Sequence, residues 1–237
     1  MNIAIITARG GSKRIPRKNV KPFLGKPMIA WPIEAAKMSG CFEHIIVSTD
    51  DEEIADISRL YGAEVPILRP GELADDYTPA HEAAQHMLDW ALNAYGAIKI
   101  FCHIYPTAPL LSAETLRESI RKIQEEKFNA SWAMVRIPYP VYQIMILNEN
   151  GGLQRLFPAD KVNLRSQDMP PALIDVGQSY AFGVEHFLKY GIRLGDDVAA
   201  VEVPAETAID IDTEEDWVRA EETARLLFSR PKNVHLP

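Results

Sequence analysis

Short apolar runs rich in β-branched residues alternate along the chain with longer segments of helical composition. The runs predict strands at residues 2–8, 44–49, 63–68, 98–105 and 130–135, and the longer segments predict helices at 27–39, 50–61, 79–95 and 112–126. Thr49 or Asp50 would cap the second helix, and Gly62 would end it. Because a parallel connection needs a crossover, this alternation predicts a doubly wound, mostly parallel α/β sheet with helices on both faces.

The alternation stops between about residues 138 and 175, where prolines and glycines separate short apolar stretches. This composition predicts an inserted β-rich lobe, because another βα unit would not carry so many helix-breaking and strand-breaking residues. Apolar segments at 178–184 and 198–203 then return to the sheet, and an amphipathic helix is predicted at 214–228. We therefore expect a single domain over residues 1–237.

Composition and charge exclude several classes of protein. With 47% apolar and 24% charged residues the chain is typical of globular proteins, and its net charge of −8 argues against a nucleic-acid partner. The longest apolar runs, such as 98–104, are far shorter than the ~20 residues that span a bilayer. Cys41 and Cys102 lack the spacing of a metal site, so we expect a reduced, cytoplasmic protein without membrane contact.

The loop after the first strand concentrates positive charge in this acidic chain. Seven basic residues and no acidic one occur between residues 9 and 26. Ligands of open α/β sheets bind beyond the carboxyl ends of the strands, where this loop emerges, and Gly10 and Gly11 would let backbone N–H groups approach an anion. The loop has neither the Walker nor the dinucleotide motif. A polyphosphate site is favoured, although a solvated loop or a nucleic-acid patch would explain the same residues.

A second candidate feature is the acidic segment before the last predicted helix. If the chain is extended there, Asp210 and Asp212 point to the same side, and paired carboxylates suit a hard cation such as Mg²⁺. The alternative is that Asp212 or Thr213 caps the helix and that the following acidic residues complement its dipole.

Six short motifs, in order over nearly the whole chain, resemble the CMP-acylneuraminate synthetase (acylneuraminate cytidylyltransferase) family. They are residues 8–13 (ARGGSK), 16–19 (PRKN), 47–50 (VSTD), 68–70 (LRP), 105–110 (YPTAPL) and 210–213 (DIDT). The resemblance implies a Rossmann-like nucleotidyltransferase fold and Mg²⁺ as cofactor. It also implies CTP and an acidic nine-carbon (nonulosonic) sugar as substrates, and a homodimer held partly by the inserted lobe.

The same resemblance implies roles for individual residues. It assigns the CTP phosphates to one group: Arg9, Gly10, Gly11, Ser12, Lys18 and Asn19. Arg69 would lie near the cytosine, and Thr78 would touch ribose or phosphate unless it caps a helix. Asp210 and Asp212 would hold the metal. Asp212 would also help to deprotonate the sugar hydroxyl, which attacks the α-phosphorus and expels pyrophosphate, so it joins Arg9 and Lys18 as a catalytic candidate.

Residues 165–171 (RSQDMPP) and 175–180 (DVGQSY) are most similar to the pseudaminic acid branch of the family. Sialic acid enzymes more typically carry Gln at Tyr105, which is another substrate-binding candidate. Arg165 would pair with the sugar carboxylate, and Gln178 and Tyr180 would bind its hydroxyl or acylamino groups, although Tyr180 also fits a core aromatic.

The branch usually reads GQFYWG where this chain has residues 177–183 (GQSYAFG), one residue longer. The same reaction on sialic, legionaminic or 3-deoxy-octulosonic acid therefore stays an alternative. Outside the enzymes, a nucleotide-binding regulatory module is the other alternative, although such a binder has no need of paired metal carboxylates.

Overall fold

A six-stranded sheet organises the chain. The computed structural model describes residues 1–126, 128–158, 165–192 and 197–229. The strands are, in spatial order, β10 (Val198–Glu202), β6 (Ala130–Arg136), β9 (Leu173–Gly183), β5 (Ile100–Ile104), β1 (Asn2–Thr7) and β4 (His44–Ser48). Only β9 runs antiparallel to its neighbours, β5 and β6; the other pairs in this sheet are parallel. The prediction of a mostly parallel α/β sheet is confirmed.

Helices cover both faces of the sheet because its central strands are apolar on both sides. Ala4 and Ile6 of β1 belong to one buried cluster, whereas Ile3 and Ile5 point into another. On the first face pack α1 (Ala30–Ser39), α2 (Glu52–Leu60) and α4 (Ala113–Glu125). On the second face pack α3 (Ala80–Tyr95) and α5 (Val184–Tyr190). No helix in the described part of the chain is long and apolar enough to cross a bilayer.

A third apolar cluster connects the two ends of the chain. The last helix, α6 (Glu214–Ser229), packs Trp217 against Phe23, with ring centroids 5.7 Å apart. Phe23 belongs to a short hairpin of β2 (Pro22–Phe23) and β3 (Lys26–Pro27). Ile15 of the basic loop and Ile211 of the acidic segment are both fully buried in this cluster. It therefore holds the two candidate functional segments side by side.

Two predicted elements differ in the structure. The strand predicted at 63–68 is reduced to one bridge between Ile46 and Glu64, since Pro66 has no N–H to extend a ladder. Helix α2 is capped by Asp51, whose carboxylate accepts the Ile54 N–H at 3.0 Å, and not by Thr49 or Asp50. The reason is that the Asp50 carboxylate accepts the N–H of Gly10.

The predicted lobe contains an isolated hairpin, β7 (Met145–Leu147) with β8 (Leu153–Arg155). Strand β9 begins at Leu173, five residues before the predicted return to the sheet at 178, because it continues the pairing with β6 as far as Arg136. Residues 159–164 of the predicted lobe lie outside the described residues.

Candidate active site

The basic loop after β1 and the acidic segment before α6 meet at the carboxyl ends of the strands. A guanidinium nitrogen of Arg14 lies 2.8 Å from a carboxylate oxygen of Asp212. The Lys18 ammonium donates to the carbonyl oxygen of Ile211 and lies 3.7 Å from Asp212. Burial lowers the pKa of Lys18, and the charges of Asp212 and Asp210 oppose that shift. Opposite charges therefore face each other at this end of the sheet.

A cavity of about 480 Å³ opens beside this contact. Six residues that the sequence assigned to the nucleotide line it together: Arg9, Ser12, Lys18, Asn19, Arg69 and Thr78. Arg14 and Lys18, which contact Asp212, line it as well. The structure thus brings four of the predicted phosphate-binding residues around one volume, and Asp212 contacts two of its lining residues. Gly10 and Gly11 are not among the lining residues, and the Gly10 N–H, expected to approach an anion, donates to Asp50 instead.

The conformation of the basic loop depends on Gly10. Its N–H donates to Asp50 at 3.0 Å, and a β-carbon at this position would lie 2.7 Å from the Asp51 carboxylate. Gly11 has no neighbour within 4 Å of the equivalent position. Buried Asn19 also stabilises the loop, because its Nδ2 donates to the Arg9 carbonyl at 2.9 Å. Close packing against the start of α2 therefore requires a glycine at residue 10.

Arg69 is a buried arginine in the wall of the cavity. Its guanidinium lies 3.6 Å from Asp50, its Nε makes no hydrogen bond in the described part of the chain, and burial lowers its pKa. An incompletely paired buried guanidinium is costly, so its presence beside a cavity indicates a binding role.

Each of the seven basic residues between positions 9 and 26 forms an ion pair. The pairs are Arg9–Asp76, Lys13–Asp76, Arg14–Asp212, Arg17–Asp51, Lys18–Asp212, Lys21–Glu214 and Lys26–Glu34. Four of these cations, Arg9, Lys13, Arg14 and Lys18, line the cavity. Their grouping around one cavity favours a site for a small anion over the nucleic-acid surface considered from the sequence.

The structure separates helix capping from the acidic pair. The Thr213 hydroxyl accepts the Asp216 N–H at 3.2 Å, and the Asp216 carboxylate accepts the N–H groups of Asp212 and Thr213. Thr213 and Asp216 therefore form a reciprocal cap of α6, and the Asp212 side chain is not part of it.

The acidic pair has the chemistry of a cation site. Asp210 reaches solvent, but partial desolvation of its carboxylate and the charge of Asp212 raise its pKa. The described residues contain no cluster of three or more metal-ligating side chains. Two carboxylates fit Mg²⁺, which usually binds one or two protein carboxylates and takes its other ligands from phosphates and water.

A second cavity, of about 310 Å³, adjoins the first at Ala80. Tyr105 and Tyr180 line it, with ring centroids 5.4 Å apart. The Tyr180 hydroxyl donates to the Asp175 carboxylate, at 2.8 Å from one of its oxygens, and burial raises the pKa of both tyrosines. Tyr180 is thus a buried strand aromatic that also faces a cavity, so the two interpretations made from the sequence are compatible.

Sequence reasoning missed three residues of the second cavity: His103, Trp132 and Asp175. His103 precedes Tyr105 by two positions on a predicted strand, so the two side chains share a face. That period-two relation was the available signal.

Two predicted sugar-binding residues lie outside both cavities. Gln178 is 2% exposed, and its Nε2 donates to the Thr207 carbonyl at 2.6 Å. It therefore holds the chain that leads to Asp210, and its position gives no support to sugar binding. Arg165 is exposed and pairs with Asp168 at 2.6 Å, so its role stays a prediction. Thr78 lines the first cavity and is not a helix cap, because the N-cap of α3 is Pro79.

Residues 3–215 match the profile of the cytidylyltransferase family. The chain belongs to this family. The pseudaminic acid cytidylyltransferase of Campylobacter jejuni is 36% identical to this cytidylyltransferase over 96% of both chains. The N-acylneuraminate cytidylyltransferase B of Danio rerio is 31% identical over 98% of this chain and 53% of its own. The CMP-N,N'-diacetyllegionaminic acid synthase of Legionella pneumophila is 40% identical over 50% of this chain and 51% of its own.

Solved structures agree on the fold of this cytidylyltransferase. A CMP:2-keto-3-deoxy-manno-octonic acid synthetase complexed with CTP superposes with a TM-score of 0.67 and 16% identity, over 95% of this chain and 99% of the other. A 4-diphosphocytidyl-2C-methyl-D-erythritol synthase from Anaerococcus prevotii gives a TM-score of 0.64 and 16% identity, over 94% and 98%. The nucleotidyltransferase fold expected from the sequence is therefore confirmed.

Proposed function

We propose that this cytidylyltransferase transfers CMP from CTP to the anomeric hydroxyl of a nonulosonic acid, pseudaminic acid, and releases pyrophosphate. The observation that carries the proposal is the contact of Arg14 and Lys18 with Asp212 at the edge of the cavity of about 480 Å³. The name and the 96% coverage of the Campylobacter relative support the choice of sugar.

The first cavity would hold the nucleotide. Arg9 and Lys18 would neutralise the triphosphate, and Ser12 and Asn19 would bond its oxygens, since all four line the same volume. Arg69, on the wall of the same cavity, would lie by the cytosine. In such a transfer, fixed positive charge near the equatorial and leaving oxygens is the main source of rate acceleration.

Asp210 and Asp212 would hold Mg²⁺. When bound, the cation would neutralise charge on the phosphate oxygens. Asp212 is only half-buried and sits where the basic loop meets the cavity, so its carboxylate can also accept the proton of the attacking hydroxyl.

The second cavity would hold the sugar. It adjoins the nucleotide cavity at Ala80, and its aromatic wall includes Tyr105 and Tyr180. Aromatic faces pack on the apolar side of sugar rings and exclude water, and the tyrosine hydroxyl groups supply polar contacts. The shared wall at Ala80 would bring a nonulosonic acid in this cavity next to the triphosphate.

We propose in addition that the lobe hairpin forms a homodimer contact. Five apolar residues between Ile144 and Leu153 are exposed, with Leu147 at 74% and Leu153 at 70%. An exposed apolar patch of this kind is typical of a protein interface. Leu147→Lys should shift the mass measured by light scattering from dimer to monomer, and an unchanged mass would remove the hairpin from the interface.

The central test measures pyrophosphate release with CTP, Mg²⁺ and a panel of acid sugars, with the product followed by ³¹P NMR. We expect release only when all three components are present, and the fastest release with pseudaminic acid. Faster turnover of legionaminic acid would assign that sugar instead, in line with the 40% identity of the Legionella relative. Release from any nucleoside triphosphate without a sugar would contradict the proposal.

A further inference from the structure

One hydrogen bond connects the walls of the two cavities. Thr7, at the end of β1, lines the nucleotide cavity, and His103 of the adjacent strand β5 lines the second one. The Thr7 hydroxyl oxygen lies 2.9 Å from the Nε2 of His103, and the two residues are 8% and 4% exposed. A buried hydrogen bond of this kind fixes the orientation of both side chains, because breaking it would leave buried polar groups unpaired.

The groups packed around His103 favour a neutral ring. Burial and the nearby His81 of α3 lower its pKa to about 3. Tyr105, the residue after the end of β5, lies 5.1 Å from the ring between centroids, and Tyr180 of β9 lies 6.1 Å from it. A neutral imidazole has one nitrogen that donates and one that accepts.

The hydrogen bond to Thr7 occupies only Nε2. The Nδ1 atom makes no hydrogen bond within the described residues, although the ring lines the second cavity. The Thr7 hydroxyl makes no other side-chain hydrogen bond in the same part of the chain, so its proton is available to Nε2. Donation to Nε2 leaves the imidazole proton on Nδ1, because the partner of one ring nitrogen fixes the state of the other.

We propose that His103 determines sugar specificity by donating its Nδ1–H to the acylamino carbonyl oxygen of the bound sugar, with Thr7 as the residue that positions the ring. The inference rests on the proposed function and adds to it one residue that distinguishes between sugars. It also explains why the polar His103 occurs in β5, a strand whose five residues are all buried and otherwise apolar.

The first test compares His103→Leu with His103→Asn, whose amide can still donate near the Nδ1 position. We expect His103→Leu to raise the sugar KM by about 10-fold, as for an unpaired buried acceptor, and His103→Asn to recover part of this loss. The KM for CTP should stay unchanged in both. His86→Leu is the matched control, since it removes a half-buried imidazole of α3 that lines neither cavity. Equal sugar KM values for His103→Leu and the control would overturn the proposal.

The same proposal predicts the effect of Thr7. Thr7→Val should raise the sugar KM because the tautomer is no longer fixed, and Thr7→Ser, which keeps the hydroxyl, should restore it. Sugars that lack the acylamino group should be affected by neither substitution. A uniform loss over all sugars would indicate a packing defect and would contradict specific recognition.

A measurement without turnover separates this inference from the proposed function. ¹⁵N NMR of histidine-labelled protein should show the His103 ring as the Nδ1–H tautomer from pH 5 to 8, with the signal of that tautomer altered in Thr7→Val. The Nε2–H tautomer or a protonated ring would overturn the inference even if the sugar is turned over. Failure of all acid sugars in the pyrophosphate assay would reject the proposed function whatever the tautomer.

Discussion

Replacing Asp212 by Asn should strongly reduce turnover and leave the fold intact. The substitution removes one negative charge from the acidic pair and keeps the shape of the side chain. The Asp212 side chain takes no part in the cap of α6, which consists of Thr213 and Asp216. Loss of activity can therefore be separated from loss of the helix.

The exposure of the Asp212 ion pair and the proposed role of its carboxylate set the expected losses of stability and of kcat. The Arg14 side chain is 68% exposed and that of Asp212 is 39% exposed, so their ion pair contributes only about 0–1 kcal/mol to stability. For a chain of this size 1 kcal/mol corresponds to a Tm change of roughly 2–4 °C, which bounds the expected loss. Removing a charge that acts on the reacting phosphate should instead lower kcat by about 10²-fold or more.

Thr213→Ala is the matched control in the adjacent position. Loss of the N-cap should cost about 1 kcal/mol and lower the Tm by a few degrees, while kcat changes little. Pyrophosphate release measures the activity of both variants, and differential scanning calorimetry measures their Tm. Only Asp212→Asn should thus lose activity, whereas the Tm of either variant should fall by no more than a few degrees.

The reasoning would be refuted by either of two results. If Asp212→Asn lowers the Tm by clearly more than the bound of roughly 4 °C, the Asp212 carboxylate supports the fold beyond its exposed ion pair. If Asp212→Asn retains wild-type kcat at saturating Mg²⁺, neither metal binding nor proton transfer depends on this carboxylate.

Three further predictions follow from the basic loop. Gly10→Ala should raise the KM for CTP because its β-carbon would lie 2.7 Å from a carboxylate oxygen, whereas Gly11→Ala, with no neighbour within 4 Å, should not; steady-state kinetics of both variants check this. Asp76→Asn should tighten CTP binding in calorimetry, since the carboxylate pairs with two cations of the cavity wall, and an unchanged Kd would refute competition. The Arg17 guanidinium lowers the pKa of Asp51, so the stability from this pair is present above pH ~4 and is lost as the pH falls through the lowered pKa. Asp51→Asn should therefore flatten the acid side of a plot of Tm against pH, and an unchanged slope would contradict the assignment.

The alternation of apolar runs and helical segments was enough to predict most of the main sheet. Buried parallel strands must be apolar on both faces, and β1 and β5 satisfy this over nearly their whole length. The direction of β9 could not be obtained in this way, because a buried strand has the same pattern in a parallel and an antiparallel ladder. Its direction depends on the lobe, which replaces a crossover helix.

The candidate site was predictable where the local charge differs from that of the surrounding sequence. The basic loop and the Asp210–Asp212 pair stand out against their surroundings, and the structure brings them together. The helix cap at Asp51 was not predictable, because the choice among three neighbouring polar residues depends on Asp50 accepting the Gly10 N–H. His103 was missed because a single histidine in an apolar run has the same appearance in a core as in a cavity wall.

The connection of the lobe to β6 and β9 determines how far the length of the lobe can vary. Its chain leaves β6 and returns to β9 at positions that are already neighbours, with the Ile137 N–H donating to the Ala172 carbonyl at 2.9 Å. The distance between the two ends is fixed by the sheet, so the entropic cost of closing the segment changes slowly with its length. Insertions or deletions within the lobe should therefore change the closure entropy little and leave the pairing of β6 with β9 intact.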